Sequence, residues 1–537
     1  MSSIRPPSLG PIVGHTTANS SRLWIRGGDP ADKRGSLDEN RRTIGVLTVL
    51  DGKGHPVPKD PKRTQYFRLH REYDRTGTFN LGVDSGLNGG NGPFTLTPDT
   101  RYRVRMGTLA LDDAFANDEL VTDEEIARHL PKPSVWAEPL AALPADAAEA
   151  VFKTFPEADD DTLSFLLGSC RYPGLFWKKK HSDRIFRPVL DHLTKNPYGK
   201  DPRFILMVGD QIYADMFSRN LPIGLADTYQ EFQDRYHDAL GSQNMRRLLR
   251  QVPTYMILDD HEIEDNWTQD RIDDRKKRVL FNLAIGAYMS YQWSHGPRNY
   301  DGRLFYDFEC GGFSFFVLDA RTQRYKDDEP GLDDNHMLGR PSFDPKTEPS
   351  ELDYLCTWLG NQKKNYGDRP KFIISPNVFV PNAVTTTKSD IHKEKSDSWP
   401  AFPETRKRLL DYIISNQIQN VVFLSGDVHC SNVAEIIFSG SQTARALKAF
   451  SITSSAFYWP FWFADGEPSH FVHDSKRQND TFVISTAPKV TMDYKAYNFT
   501  QKDNFCQIDV DWANRKIEVQ TIDQKGKLIV SSTLKLA

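Results

Sequence analysis

Four short apolar runs in this chain stop on residue types that bind metals. "LSFLLGSC" ends on Cys170, "FILMVGDQIY" on Asp210 with Tyr213, "TYMILDDHE" on Asp259, Asp260 and His261, and "VVFLSGDVHC" on Asp427 and His429. Short, β-branched runs bounded by glycine or polar residues read as fully buried strands, although periodicity alone is also compatible with a buried helical segment. In open α/β sheets, ligands gather beyond the carboxyl ends of the strands. Four such ends, each bearing potential ligands, point at one site.

The segments between these runs carry helical periodicity: "SDRIFRPVLDHLTK", "LADTYQEFQDRYHDALGSQNMRRLLRQ", "KKRVLFNLAIGAYMSYQW" and "ETRKRLLDYIISNQ". With further strand candidates "FSFFVLDAR" and "KFIISPN", this alternation predicts an α/β catalytic domain over 161–537. The last segment, from "NFCQIDVDW" onward, returns to period-2 alternation and is expected to complete one of its sheets. The first 125 residues differ. "SRLWIRG", "TIGVLTVLDGKG" and "YRVRMGTLAL" alternate between turn clusters, which predicts a small β-sandwich over 1–125. The Ala-rich, Pro-interrupted stretch 126–160 reads as a linker with helical pieces.

At 537 residues the chain has room for about two or three domains. Charged residues make up 26% and the formal net charge is −4, an ordinary globular composition without the basic face that nucleic-acid binding needs. Five scattered cysteines with no C-x-x-C pair argue against a disulfide framework. No basic-then-apolar leader opens the sequence, and the twin arginine Arg41–Arg42 precedes a run better read as a strand. The expectation is a cytoplasmic protein, or an exported one if a leader has been removed. No segment has the length of a transmembrane helix. Oligomeric state leaves no trace in the sequence.

The ligand types narrow the chemistry. Carboxylates and imidazole suit hard or borderline cations, and a lone Cys among oxygen donors does not make a zinc-finger site. A phenol ligates only where a strong Lewis acid displaces its proton, so Tyr213 favours ferric iron. There are more ligands than one metal needs. Two metals about 3.5–4 Å apart, bridged by a carboxylate and a hydroxide, would use them and would suit in-line attack on phosphorus.

The motifs "GSC" (168–170), "GDQIYAD" (209–215), "LDDHEIEDNW" (258–267), "FFVLDART" (315–322) and "LSGDVH" (424–429), in this order, resemble the PhoD-type alkaline phosphatases. That family lies in the purple-acid-phosphatase-like branch of the calcineurin-like metallophosphoesterases. The opening "GPIVGHTTANSSRLWIRG" is similar to the start of the family's leading β-sandwich. The resemblance implies a four-layer αββα sandwich behind that domain. It also implies ferric iron with a second divalent cation, calcium first, with manganese, magnesium or zinc as alternatives. Cys170, Tyr213 and His429 would bind iron and Asp210 would bridge. Asp260 and Asp427 would bind the second cation, with Asn266 a further neighbour. His261 would bind the phosphate and protonate the leaving oxygen. Asp319 and Arg321 would form a buried pair holding loops around the site, and Arg171 is a candidate phosphate contact set against a structural ion pair.

The expected function is therefore hydrolysis of small-molecule phosphate esters without a phosphoenzyme. Phosphodiester or phosphotriester hydrolysis on the same residues is the alternative. A non-catalytic binding protein is the rival from another class, and the intact ligand set argues against it. The chain departs from the family's pattern at "MLGRPSFDPKTEPSELDYLCTWLG" and "SDSWPAFPETRKRLL", which bear on substrate preference. The aromatic run "FYWPFWF" (457–463) reads as packing or, alternatively, as an apolar wall for a bulky ester group.

Overall fold

The computed structural model describes residues 4–28, 42–87, 92–111, 122–157, 159–174, 179–197, 199–216, 224–326, 332–342, 344–384, 397–461 and 466–537. The four ligand-tipped runs are strands: Thr162–Gly168, Ile205–Val208, Thr254–Ile257 and Val421–Ser425. The first shows why. Successive side chains of a strand point to opposite faces, so Leu163, Phe165 and Leu167 enter one core while Leu166 enters another. A run apolar at every position can then be buried on both faces.

Those strands belong to two sheets. A six-stranded sheet runs in the order Thr254–Ile257, Ile205–Val208, Thr162–Gly168, Asn504–Asp511, Lys516–Asp523, Leu528–Lys535. Its first three strands are parallel, and the C-terminal strands continue it antiparallel. In the eight-stranded sheet, Phe313–Val317, Lys371–Ser375, Val421–Ser425 and Ala449–Thr453 form the parallel centre. Phe165, Val208 and Ile508 of the first sheet share a core with Phe315, Phe372 and Leu424 of the second. Helices Phe186–Lys195, Tyr229–Leu240 and Arg275–Tyr291 cover the outer face of the six-stranded sheet. Helices Glu351–Tyr366 and Pro403–Ser415 cover that of the eight-stranded one. No described helix is long and apolar enough to cross a membrane.

One helical expectation changes, and one helix is added to those expected. The segment 225–251 is two helices, Tyr229–Leu240 and Gln243–Leu249, parted at Gly241 and Ser242. "ELDYLCTWLGNQKKNY", which begins within the departure at 337–360, is a helix behind a Ser350–Asp353 capping box.

At the N-terminal end, Leu9–Thr16, Ser21–Arg26 and Thr76–Leu81 form one sheet, and Thr64–Arg68, Thr43–Val49, Arg101–Ala110 and Glu149–Lys153 another. Val13, Leu23, Leu47, Phe79, Val104 and Phe152 fill the space between them. The stretch expected as a linker does hold helical pieces, but its "EAVFK" is a strand, paired Arg101↔Lys153. Its Ala-rich surroundings masked an alternation that buries Ala150 and Phe152.

The sandwich is clamped to the helical face. Trp24 Nε1 donates to Ser290 O at 2.9 Å. Arg26 pairs with both Asp74 oxygens at 2.7 and 2.8 Å, and Asp74 also meets His237 Nε2 at 2.8 Å and the Tyr291 hydroxyl. Burial opposes ionisation of Asp74, yet His237 and Arg26 hold its carboxyl far below the usual range. Removing one partner strands a shielded charge, so Asp74→Ala should lower stability by about 3 kcal/mol in urea unfolding. A loss under about 0.5 kcal/mol, as at an ordinary surface site, would show that this cluster is not a clamp.

Candidate metal centre

The carboxyl ends of strands from both sheets converge. Cys170, Asp210, Asp260 and His261 follow strands of the six-stranded sheet, and Asp427 and His429 follow a strand of the eight-stranded one. Ligand atoms of Cys170, Asp210 and His429 lie within 4.8 Å of one another, and so do those of Asp210, Asp260 and His261. Asp210 is common to both groups. The Tyr213 hydroxyl donates to Asp210 Oδ2 at 3.2 Å.

The local backbone is unusual. Cys170, Asp210, Asn266, Asp427 and His429 all have φ between 50° and 70°. Left-handed non-glycine residues cost of order 1–3 kcal/mol each and persist where surrounding structure dictates them. Alternation along an extended segment therefore does not explain how Asp427 and His429 are presented. The chain turns tightly there, with the His429 N–H donating to Asp427 O at 3.0 Å.

Glu262 fixes the turns on the other sheet. Its carboxylate accepts from the N–H groups of Asp210 at 3.1 Å, Gln211 at 2.7 Å and Asp259 at 3.0 Å, and from Gln292 Nε2 at 3.1 Å. Asp260 accepts from the N–H groups of His261 at 3.0 Å and Asn266 at 2.6 Å. His261 Nδ1 lies 2.7 Å from Asp215 Oδ1. Asn266 meets this group through its backbone, with its side chain exposed.

The electrostatics are those of a site with excess negative charge. Burial, then neighbouring carboxylates, push Asp210 and Asp427 well above the usual carboxylate range. Burial and then Asp210 do the same to the Cys170 thiol and the Tyr213 phenol. Burial also resists ionisation of Asp260, but Arg321 and His261 bring it down to about 2. Burial favours a neutral His261, yet Asp215, Asp260 and Asp210 outweigh it and raise its pKa. His429 falls to about 3 through burial and then the charge of His261, so its ring is neutral. Asp210 Oδ1 and both His429 ring nitrogens are buried without a hydrogen-bond partner. Orphaned acceptors beside a thiol and a phenol fit a cation, which would partner the acceptors and displace the protons.

Two expected roles move. Arg171 is buried and its guanidinium is spent on structure: Nε donates to Ser182 O at 3.3 Å, one terminal nitrogen to Ala239 O and the other to Ser242 Oγ at 2.7 Å. It cannot also reach phosphate. Arg171→Met should lower stability by about 1–3 kcal/mol through the orphaned acceptors and leave KM unchanged. A KM raised without a stability change would restore the phosphate contact. Arg321 meets Asp319 only through its backbone N–H, at 3.3 Å, and its guanidinium turns elsewhere. Its Nε donates to Asp259 at 2.6 Å and its other nitrogens to Asp397 at 3.1 and 2.7 Å, while Asp319 accepts from Thr322.

Asp215, Glu262, Asn377 and Asp397 escaped the sequence reading. Asn377 Nδ2 donates to Asp427 Oδ2 at 3.0 Å, from beyond the strand Lys371–Ser375. This is a fifth strand end at the site, findable by the rule that exposed the other four. Trp459, within the aromatic run, stacks on His429 with centroids 3.5 Å apart and planes at 9°. Phe457 instead packs inward on Phe186, and Trp462 and Phe463 lie outside the described residues.

A family model described as PhoD-like phosphatase matches residues 183–520. The chain belongs to the PhoD-like phosphatase family. Within that match lie Asp210, Tyr213, Asp260, His261, Asn266, Asp427 and His429; Cys170 precedes it. Alkaline phosphatase D of Bacillus subtilis (strain 168) is 29% identical over 311 residues, covering 54% of this chain. The alignment spans 50% of that curated PhoD-like relative, about half its length. A solved structure titled "Structure of PhoD" aligns with 100% of this chain and 90% of its own at a TM-score of 0.63 and 16% identity, which shows a shared fold.

Proposed function

We propose that the chain is a metal-dependent hydrolase of phosphate esters acting at this centre. The observation that carries the reading is the buried convergence of Cys170, Asp210 and His429, whose orphaned acceptors need a cation. Family membership supplies the phosphoester class. Cys170, Tyr213, His429 and Asp210 would hold ferric iron. Asp210, Asp260 and Asp427 would hold a second divalent cation, calcium first, with Asn266 beside it. When bound, the cations would supply Lewis acidity that makes water nucleophilic near neutral pH and offsets charge on the phosphoryl oxygens.

The chain's own residues do the rest. Asp215 holds His261 Nδ1, so the Nε2 proton is available to the ester. A water oxygen bonds to phosphorus, the bond from phosphorus to the alcohol oxygen breaks, and His261 gives its proton to the departing oxygen. The proton released by water passes to solvent, and a proton taken up from solvent restores His261. Arg321 and Asp397 lock the turn that carries Asp259 and Asp260. Glu262 keeps the Asp210 carboxylate presented by holding three backbone N–H groups.

Diester or triester hydrolysis by the same residues is the alternative to monoester hydrolysis. Rates on p-nitrophenyl mono-, di- and triesters separate the three. Turnover of at least one class above the background of Asp210→Ala supports the proposal. No turnover by metal-supplemented protein on any of them overturns it.

A further inference from the structure

The aromatic run beside the metal centre makes a wall. Trp459 covers His429 and meets the edges of Tyr172 and Phe461 with centroids 5.4 and 5.0 Å away. Tyr172 contacts Phe461 at 5.0 Å and Tyr213 at 5.1 Å, and Met216 packs on the same cluster. Tyr172, Tyr213 and Tyr458 are buried, whereas Met216, Trp459 and Phe461 keep part of their apolar surface open. Two of the phenols are already engaged, Tyr172 with Met216 O at 2.8 Å and Tyr213 with Asp210, and Tyr458 is buried. What the wall offers an incoming group is therefore mainly apolar.

Its position relates it to the leaving group. Tyr213 stacks on His261 with centroids 4.3 Å apart. An ester oxygen that takes a proton from His261 must lie about 3 Å from that ring. The alcohol attached to it then starts at the edge of the Tyr213 ring, where the cluster begins. A polyol there would lose water and meet few partners, the one unpartnered donor of the wall, Trp459 Nε1, being itself buried, whereas an aromatic or alkyl chain would bury apolar area.

We propose that Met216, Trp459 and Phe461 form the leaving-group wall and select phosphate esters of aromatic or extended apolar alcohols over those of small or polar ones. The inference rests on the hydrolase reading above.

The test compares 2-phenylethyl and ethyl phosphate esters, of whichever ester class is hydrolysed fastest. Both alcohols are primary alkanols of similar basicity, so contact with the wall rather than leaving-group chemistry decides the ratio. The wild type is expected to favour the phenylethyl ester in kcat/KM by about tenfold or more. Phe461→Ala and Met216→Ala should each move that ratio toward one, and two variants guard against one failing to fold. A wild-type ratio near one, or a preference that survives both substitutions, overturns the wall. If neither these esters nor p-nitrophenyl esters turn over, the hydrolase reading fails and the wall with it.

Discussion

Asp210→Ala is expected to lose bound metal and phosphoester hydrolysis together. Asp210 is the residue shared by both potential ligand groups, one with Cys170 and His429 and one with Asp260 and His261. Its Oδ1 is buried without a partner and its Oδ2 accepts from Tyr213. On the proposed assignment its removal would take a ligand from each cation, and it leaves Tyr213 without its acceptor. Residues that merely support a ligand typically cost about 10–100-fold in metal affinity or activity. Loss of a bridging ligand should exceed that, and elemental analysis of the purified variant beside its rate on p-nitrophenyl esters reads both effects. A variant that kept full metal content and lost only activity would assign Asp210 to the chemistry rather than to the cations.

His261→Ala should separate those two properties. If His261 is the proton donor, the variant retains its metals. Its rate on alkyl esters should fall by roughly 10²–10⁴, because an alkoxide leaves poorly without a proton. p-Nitrophenolate is a weak base and needs little help, so its esters should lose far less. Asp215→Asn should follow the same pattern with a smaller loss, since Asp215 acts by holding His261 Nδ1. Equal losses on both kinds of ester would remove the proton-donor role, and loss of metal would make His261 a ligand.

Much of this site was legible because buried parallel strands are read easily and polar residues at their ends stand out. "VVFLSGDVH" and "FILMVGD" show both features without any structure. What stayed hidden depends on backbone conformation. The left-handed residues at Asp427 and His429 turn the chain in a way that residue type does not announce, because neither is glycine. Of the two roles open to Arg171 the structural one holds for a related reason: a residue beside a ligand can point to the opposite side of the chain, and its side chain runs to Ala239 and Ser242. Partnership across long separations was also invisible. The Arg321 guanidinium reaches Asp397 rather than its neighbour Asp319, and Asn377 reaches Asp427, pairings that only the stacking of strand ends creates. In the fold, the strand Glu149–Lys153 and the helix Glu351–Tyr366 were obscured by Ala-rich and Pro-rich flanks, although the alternation of the first and the capping box of the second are present in the sequence.

The most direct test is to strip the protein with a chelator, restore metal stepwise, and record p-nitrophenyl ester hydrolysis against metal bound per chain. The rate should be negligible when the protein is stripped, rise with loading, and level off at about two ions per chain. A full rate from metal-free protein, or no rate at any loading, would contradict a metal-dependent phosphoester hydrolase.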